Sequence, residues 1–562
     1  MRNDWYKDRV FYQIWPRSFM DGNGDGIGDL YGVYDRLDYL KSLGIGGIWF
    51  SPLYPSPNAD FGYDISDYCA IHPDYGDLDI FKKVVARAHE LDIKIVMDLV
   101  INHTSDEHEW FVKSRDKSSP YRDYYFWKKG KKPGKAPNNW DSFFENEAWS
   151  YDLESGEYYL HLFSRKQVDL NMDNPAVREE VKKILRFWLE MGVDGFREDV
   201  ITFISKPEGL PDDRFGVGVR GMRLFESGPH IHEYLQEFRT DVLDHYDCFV
   251  LGEAPMMTPK KARPYLAGSH PDLDLMFNFQ HMEADCLFTE YIPLPFSLPK
   301  LRRAFDRWQK DVPWTALYLE NHDHPRIISR YGSEKYRVES GKMLAVSYLL
   351  QKGTPFVYQG QEIGMTNIAL PSIDDYVDCM ALKHYYNDVK KKPAEKVLPK
   401  IQKATRDNAR TPVQWSADKN AGFSTADPWF PVNPNYREVN AASQENDPDS
   451  LLNFYRALIA FRSRSELVRF GDYEDLAPAH PHLYVYKRSC KGENLLVLCS
   501  FTEKPCHFRL PEDLSAKIAD ASLGGATGGM VPEIIFNNYP CDIAEKEFTT
   551  RPYETRVYRW NA

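Results

Sequence analysis

The feature that most constrains this chain is an alternation of short, almost wholly apolar runs with amphipathic helical stretches. Residues 10–15, 45–50 and 93–100 read as strands, with helices expected between them at residues 30–43, ending near Gly44, and at 80–91. Strands that are apolar throughout are buried on both faces, as in a parallel sheet covered by its crossover helices. Periodicity pauses over a polar, aromatic stretch and resumes at Asn174-Pro175, an N-cap followed by proline at the first helical position. Val177, Val181, Ile184, Leu185 and Trp188 then recur on one helical face, and Gly192 supplies the stop. Further strands are expected at residues 195–200, 249–252, 275–279, 316–319 and 355–358. Eight βα units without an internal repeat favour a closed α/β TIM barrel, (β/α)8, over an open sheet.

The same reading divides the 562 residues. The barrel takes residues 1–103 and 174–473, with an irregular insertion at about 370–445. An inserted subdomain with little helical period takes 104–173, after the third strand. A C-terminal antiparallel β domain, expected to be a sandwich, takes 474–562, with strands at 483–486, 495–499 and 554–559. A formal charge of −13 argues against nucleic-acid partners, which are bound through clustered Lys and Arg. The short run Lys128-Lys129-Gly130-Lys131-Lys132 reads as a solvated loop. The first residues lack a secretory signal, and no apolar run is long enough to span a bilayer. Eight scattered cysteines without a CxxC pair read as reduced thiols, so a cytoplasmic location is expected, as a monomer or weak homo-oligomer.

Catalytic groups of such a barrel lie where strands end. Asp98, Asn102 and His103 close the third strand, Arg197 and Asp199 the fourth, Glu253 the fifth, and Asn321, His322 and Asp323 the seventh. One acid at a strand end is commonly a cap or turn residue. Four strand ends in agreement place several acids and two histidines around one mouth, as glycoside hydrolysis requires: a carboxylate to attack and a carboxyl to protonate the leaving oxygen. Arg197 lies two residues before Asp199, on the same strand face, and is expected to keep it ionised. Residues 21–29 place oxygen ligands at alternate positions, Asp21, Asn23, Asp25, the Ile27 carbonyl and Asp29, with Gly26 permitting the sharp turn. The spacing copies the start of an EF-hand loop and predicts a structural Ca2+. Position twelve is Gly32 rather than Glu, so water must complete the shell.

At these residues the chain resembles the α-amylase family, glycoside hydrolase family 13, in its oligo-1,6-glucosidase and dextran glucosidase branch. The matching segments are Asp98-Leu-Val-Ile-Asn-His103, Gly195-Phe-Arg-Glu-Asp-Val200, Gly252-Glu253, Asn321-His-Asp323, residues 60–66, 359–367 and 406–412. The resemblance implies Asp199 as nucleophile, Glu253 as acid/base and Asp323 as the group binding the distorted sugar. It implies that Asp60, His103, Arg197, His322 and Arg406 grip the terminal glucose. Tyr63 would stack beneath it, and Phe163 and Gln167 would reach in from the subdomain. Asp60 paired with Arg406 implies a closed pocket and exo action on short oligosaccharides, and Val200 after the nucleophile resembles the members preferring α-1,6 links. The family resemblance also favours calcium. Four residues depart from the pattern: Glu198 beside the nucleophile, His324 after Asp323, Phe61 and Val168. They bear on the leaving-group side, and Glu198 could also raise the pKa of the nucleophile. Trehalose-6-phosphate hydrolysis or action on sucrose is the alternative within this chemistry. A non-enzymatic transporter heavy subunit is the alternative outside it, disfavoured by the retained acids.

Overall fold

The computed structural model describes residues 4–216, 218–522 and 532–561. Eight parallel strands form its centre: β1 Phe11–Ile14, β2 Gly47–Phe50, β3 Lys94–Leu99, β4 Gly195–Glu198, β5 Phe249–Glu253, β6 Leu275–Phe277, β7 Ala316–Leu317 and β8 Thr354–Tyr358. They hydrogen-bond in the order β6-β5-β4-β3-β2-β1-β8-β7. The ring closes between β6 and β7 through side chains, with Tyr318 donating its hydroxyl to the Asn278 carbonyl at 2.7 Å and packing edge-on to Phe277 at 5.0 Å. The sheet is therefore a barrel whose last seam is held by aromatics.

Strand alternation explains the interior. Phe11, Trp49, Val96, Phe249, Leu251, Leu275, Phe277, Ala316 and Phe356 pack inside the barrel, with Phe11 stacked on Phe356 at 5.0 Å. Continuing two residues toward the C-terminal ends, the same inward faces turn polar: Gln13 follows Phe11, Asp98 follows Val96, Arg197 follows Gly195 and Glu253 follows Leu251. A dry floor thus ends in a charged mouth.

The outer layer follows from helical signals. Helix α1, Leu30–Leu43, is capped by Asp29, whose side chain accepts from the Gly32 amide, and ends at Gly44 with φ 89°. Helix α2 is Leu78–Glu90. Helix α3, Pro175–Glu190, is capped by Asn174 and buries Val177, Val181, Ile184, Leu185 and Trp188 against the sheet. Each such side chain removed from water contributes roughly 1.5–3 kcal/mol, which is what anchors the helix.

Between β3 and α3 lie three-stranded and two-stranded antiparallel sheets, together with a helix at Glu109–Ser114 that the sequence pattern does not lead one to expect. The stretch after β8 is less irregular than expected, containing helices Cys379–Asp388 and Ala394–Ala404. The C-terminal five-stranded antiparallel sheet includes Leu483–Cys490, Glu493–Ser500 and Thr555–Asn561, all longer than the expected strands. A helix, Glu512–Ser522, runs beside it. Its Leu514 and Ile518 fill that domain's core, a helical stripe missed in the sequence.

Candidate active site

Three carboxylates meet on one guanidinium. Arg197 donates from Nη1 to Asp98 Oδ1 at 2.6 Å and Asp199 Oδ1 at 2.8 Å, and from Nη2 to Glu253 Oε2 at 2.5 Å. Arg197 is 2% exposed and also lies over the Trp49 ring, so it is a fixed cation in a dry setting. β3, β4 and β5 are consecutive in the barrel, which is why their ends can share one side chain.

The electrostatics differ from the sequence expectation. Burial pushes the Asp199 carboxyl well above the usual range; Arg197 pulls it down, but Glu253 and Asp98 push it back up. Asp98 rises to about 6 for the same reason, burial first, opposed by Arg197. Asp199 and Glu253 are held side by side on the same guanidinium, each carboxyl facing the other's charge.

Asp199 is followed by a strained residue. Val200 has φ 36° and ψ 40°, a left-handed conformation costly for a β-branched side chain. This conformation aims the Val200 amide at Glu253 Oε2, 3.1 Å away, while its side chain packs among Trp140, Phe203 and Phe225.

A second group surrounds Asp323. Burial opposes its ionisation, but His322, Arg406 and Arg410 outweigh it and hold Asp323 well below the usual carboxylate range. His322 Nε2 lies 2.9 Å from Asp323 Oδ2 and 2.8 Å from the Tyr63 hydroxyl, and its ring is stacked between Trp15 and Tyr63. Burial lowers His322 to about 4, a neutral imidazole. Gln13 reaches its other nitrogen at 2.7 Å.

Opposite, Asp60 and Arg406 close the pocket. Arg406 Nη2 is 3.3 Å from Asp60 Oδ1, Nη1 is 3.3 Å from Asp323 Oδ1, and Asp378 holds the guanidinium at 2.8 Å. Gln167 donates to Asp60 Oδ2 at 3.2 Å and meets His103 Nε2 at 3.2 Å, while Phe163 packs on the His103 ring at 5.2 Å. Burial lowers His103 to about 4. The residues implied for the sugar site are thus joined in one network of contacts. Tyr63 is stacked on His322 with its hydroxyl on Asp98 at 3.0 Å.

Gln13, Trp49, Phe144, Asp378 and Arg410 also build the site and do not stand out in the sequence. Phe144 packs against the Arg406 guanidinium at 5.2 Å. Gln13 and Trp49 were findable, since they continue the inward face of β1 and β2; Asp378 lies in the long stretch after β8, where no local pattern marks it.

The loop at residues 21–29 folds as a series of tight turns. Asp21 accepts from the Gly24 and Gly26 amides and from Ser424, Asp25 from Ile27, and Asp29 from Gly22, Asn23 and Gly32. Gly26 adopts φ 96°, and a Cβ there would collide with the Asp427 carbonyl. Burial and the Asp21 charge raise Asp29, so a cation would fit the electrostatics. Among the described residues no three His, Cys, Asp or Glu side chains converge as a metal cluster, so Asn23 and carbonyl oxygens would have to contribute. Among the described residues no helix is long and apolar enough to cross a membrane.

The model of the α-amylase catalytic domain matches residues 13–471. This chain belongs to that family. It is 46% identical to the oligo-1,6-glucosidase of Parageobacillus thermoglucosidasius, over 100% of this chain and 99% of that protein. It is 42% identical to the trehalose-6-phosphate hydrolase of Bacillus subtilis strain 168, covering 99% and 98%. Among solved structures, the trehalose-6-phosphate hydrolase of Bacillus licheniformis superposes with TM-score 0.92 at 41% identity, covering all of both chains. The family match spans β1 to the end of the barrel and contains every residue of the pocket.

Proposed function

We propose that this chain is a retaining, exo-acting α-glucosidase that removes terminal α-1,6-linked glucose from short oligosaccharides such as isomaltose and panose. The observation that carries it is the Arg197 clamp on Asp199 and Glu253 beneath a pocket closed by Asp60 and Arg406. Two carboxyl groups bridged by one guanidinium support the close pair that retention needs, rather than the wider gap by which an inverting enzyme admits water between acid and base.

The terminal glucose enters with its non-reducing end against Asp60 and Arg406, so a longer chain can extend only outward. Asp199 attacks the anomeric carbon while Glu253, as the acid, gives a proton to the glycosidic oxygen, and the leaving sugar departs. The glucosyl ester on Asp199 is then attacked by water that Glu253 deprotonates, releasing glucose with its α configuration kept. Asp323, held anionic by Arg406 and Arg410, takes ring hydroxyls as the sugar flattens and positive charge develops.

The α-1,6 preference rests on Val200 and on the oligo-1,6-glucosidase relatives. Comparison of kcat/KM on isomaltose, maltose and trehalose-6-phosphate tests it. Isomaltose is expected to lead; a clear maltose or trehalose-6-phosphate preference contradicts it. Asp199→Asn and Glu253→Gln should each lower kcat on isomaltose by roughly 10³-fold or more with folding intact. The loop at residues 21–29 is proposed to hold a structural Ca2+, on its oxygen spacing and raised Asp29. That no disulfide joins cysteines among the described residues supports a reducing, cytoplasmic setting.

A further inference from the structure

Beside Asp323 stands a braced pair that the proposed reaction leaves unused. His324 follows Asp323 directly, and its Nδ1 lies 2.6 Å from Glu290 Oε1. Glu290 belongs to the strand Thr289–Pro293 of a hairpin that follows β6. Arg330 Nη1 stands 3.2 Å from the same Glu290 oxygen, while its Nη2 is fixed on Asp285 at 2.6 Å and on the Met282 carbonyl at 2.7 Å. Phe279, just past β6, packs edge-on to the His324 ring at 5.4 Å. The imidazole is thus held by a carboxylate and an aromatic ring, with Arg330 bracing the carboxylate.

One atom of this assembly is unsatisfied. His324 Nε2 is buried and has no hydrogen-bond partner among the described residues, although the side chain keeps 12% of its surface exposed. A buried polar atom without a partner is unfavourable and calls for an explanation. Position supplies one. Glu253 ends β5 and the next strand round the barrel is β6, so the loop after β6, which carries Glu290, starts beside the acid/base, while His324 directly follows Asp323 in the sugar site. A sugar protonated by Glu253 leaves past these loops if the glucosidase reading holds.

We propose that His324 binds a hydroxyl of the departing sugar through Nε2, with Glu290 fixing the ring's orientation; this deepens the glucosidase reading and rests on it. With Nδ1 donating to Glu290, Nε2 accepts from a hydroxyl in the neutral ring and donates to one in the charged ring. The surrounding groups are Glu283, Asp285, Glu290 and Arg330, and His324 and Arg330 hold Glu290 down to about 2 against burial. A wall with more acids than arginines suits an uncharged sugar and opposes a phosphorylated one.

The test compares isomaltose with 4-nitrophenyl α-glucoside. Both form the same glucosyl ester on Asp199, so they differ only in binding and expulsion of the leaving group. His324→Ala should lower kcat/KM on isomaltose about 10-fold and on the aryl glucoside less than about 2-fold, with Tm unchanged. His324→Gln should restore part of the loss, and Glu290→Gln, available if the alanine variant misfolds, should show the same selective loss at about 3-fold. Equal losses on both substrates, or full activity on isomaltose, overturn the assignment. Wild-type protein inactive on both substrates would instead overturn the glucosidase reading itself.

Discussion

Neighbouring carboxylates on one strand have opposite fates. Asp199 points into the pocket, and Glu198, one residue earlier, faces the other side of β4 and is 1% exposed. Its Oε2 has no hydrogen-bond partner among the described residues, and burial, with Asp274 and Asp272 nearby, raises it to about 8. The folded protein therefore keeps this proton where the unfolded chain loses it near the ordinary glutamate range. Between about pH 4.5 and 8 the native state binds more protons, so stability falls as pH rises through that window and the loss is complete above it. Glu198→Gln removes the penalty. At pH 7.5 it should raise stability by about 1–3 kcal/mol, with little effect at pH 4.5. Thermal unfolding of both proteins at the two pH values checks this, and a lower Tm for the variant at pH 7.5 contradicts it. From sequence, Glu198 should point to the other side of the strand from Asp199, and it does; Glu253 and Asp98 are the acids that push Asp199 up.

Among elements, the loop at residues 21–29 and helix α1 act together, because Asp29 both closes the loop and caps the helix. Asp29→Ala should cost about 1–2 kcal/mol from the cap alone. If the loop holds Ca2+, a chelator should lower the wild-type Tm and leave this variant's Tm nearly unchanged; no chelator effect on the wild type, with no metal detected, removes the cation. The helices are readable in sequence where cap, stripe and stop coincide, as in α1 and α3. The barrel strands are readable because their runs are apolar almost from end to end. The helices Glu109–Ser114 and Glu512–Ser522 are not, being short and set among polar residues. The acids proposed as catalytic are legible as inward positions at strand ends, whereas Asp378, which holds Arg406, carries no local signal.

At the scale of the molecule, the pocket is assembled from distant segments: Asp60 after β2, Gln167 from the subdomain and Arg406 from the stretch after β8. The C-terminal sheet is locked to the barrel by a buried cation held on backbone carbonyls. Arg488, 0% exposed, donates to the carbonyls of Leu350, Val468, Gly471 and Asp472. Burial lowers it to about 10, still charged at neutral pH. Arg488→Met should strand those carbonyls and cost about 3–5 kcal/mol, read as a lower denaturant midpoint. An unchanged midpoint would show that the interface holds without it.

The proposed mechanism turns on Asp199 and Glu253 being close enough for a double displacement. Proton NMR of the first glucose released from isomaltose by wild-type protein tests this most directly. The α anomer should appear first and then mutarotate, whereas initial release of β-glucose would contradict the mechanism.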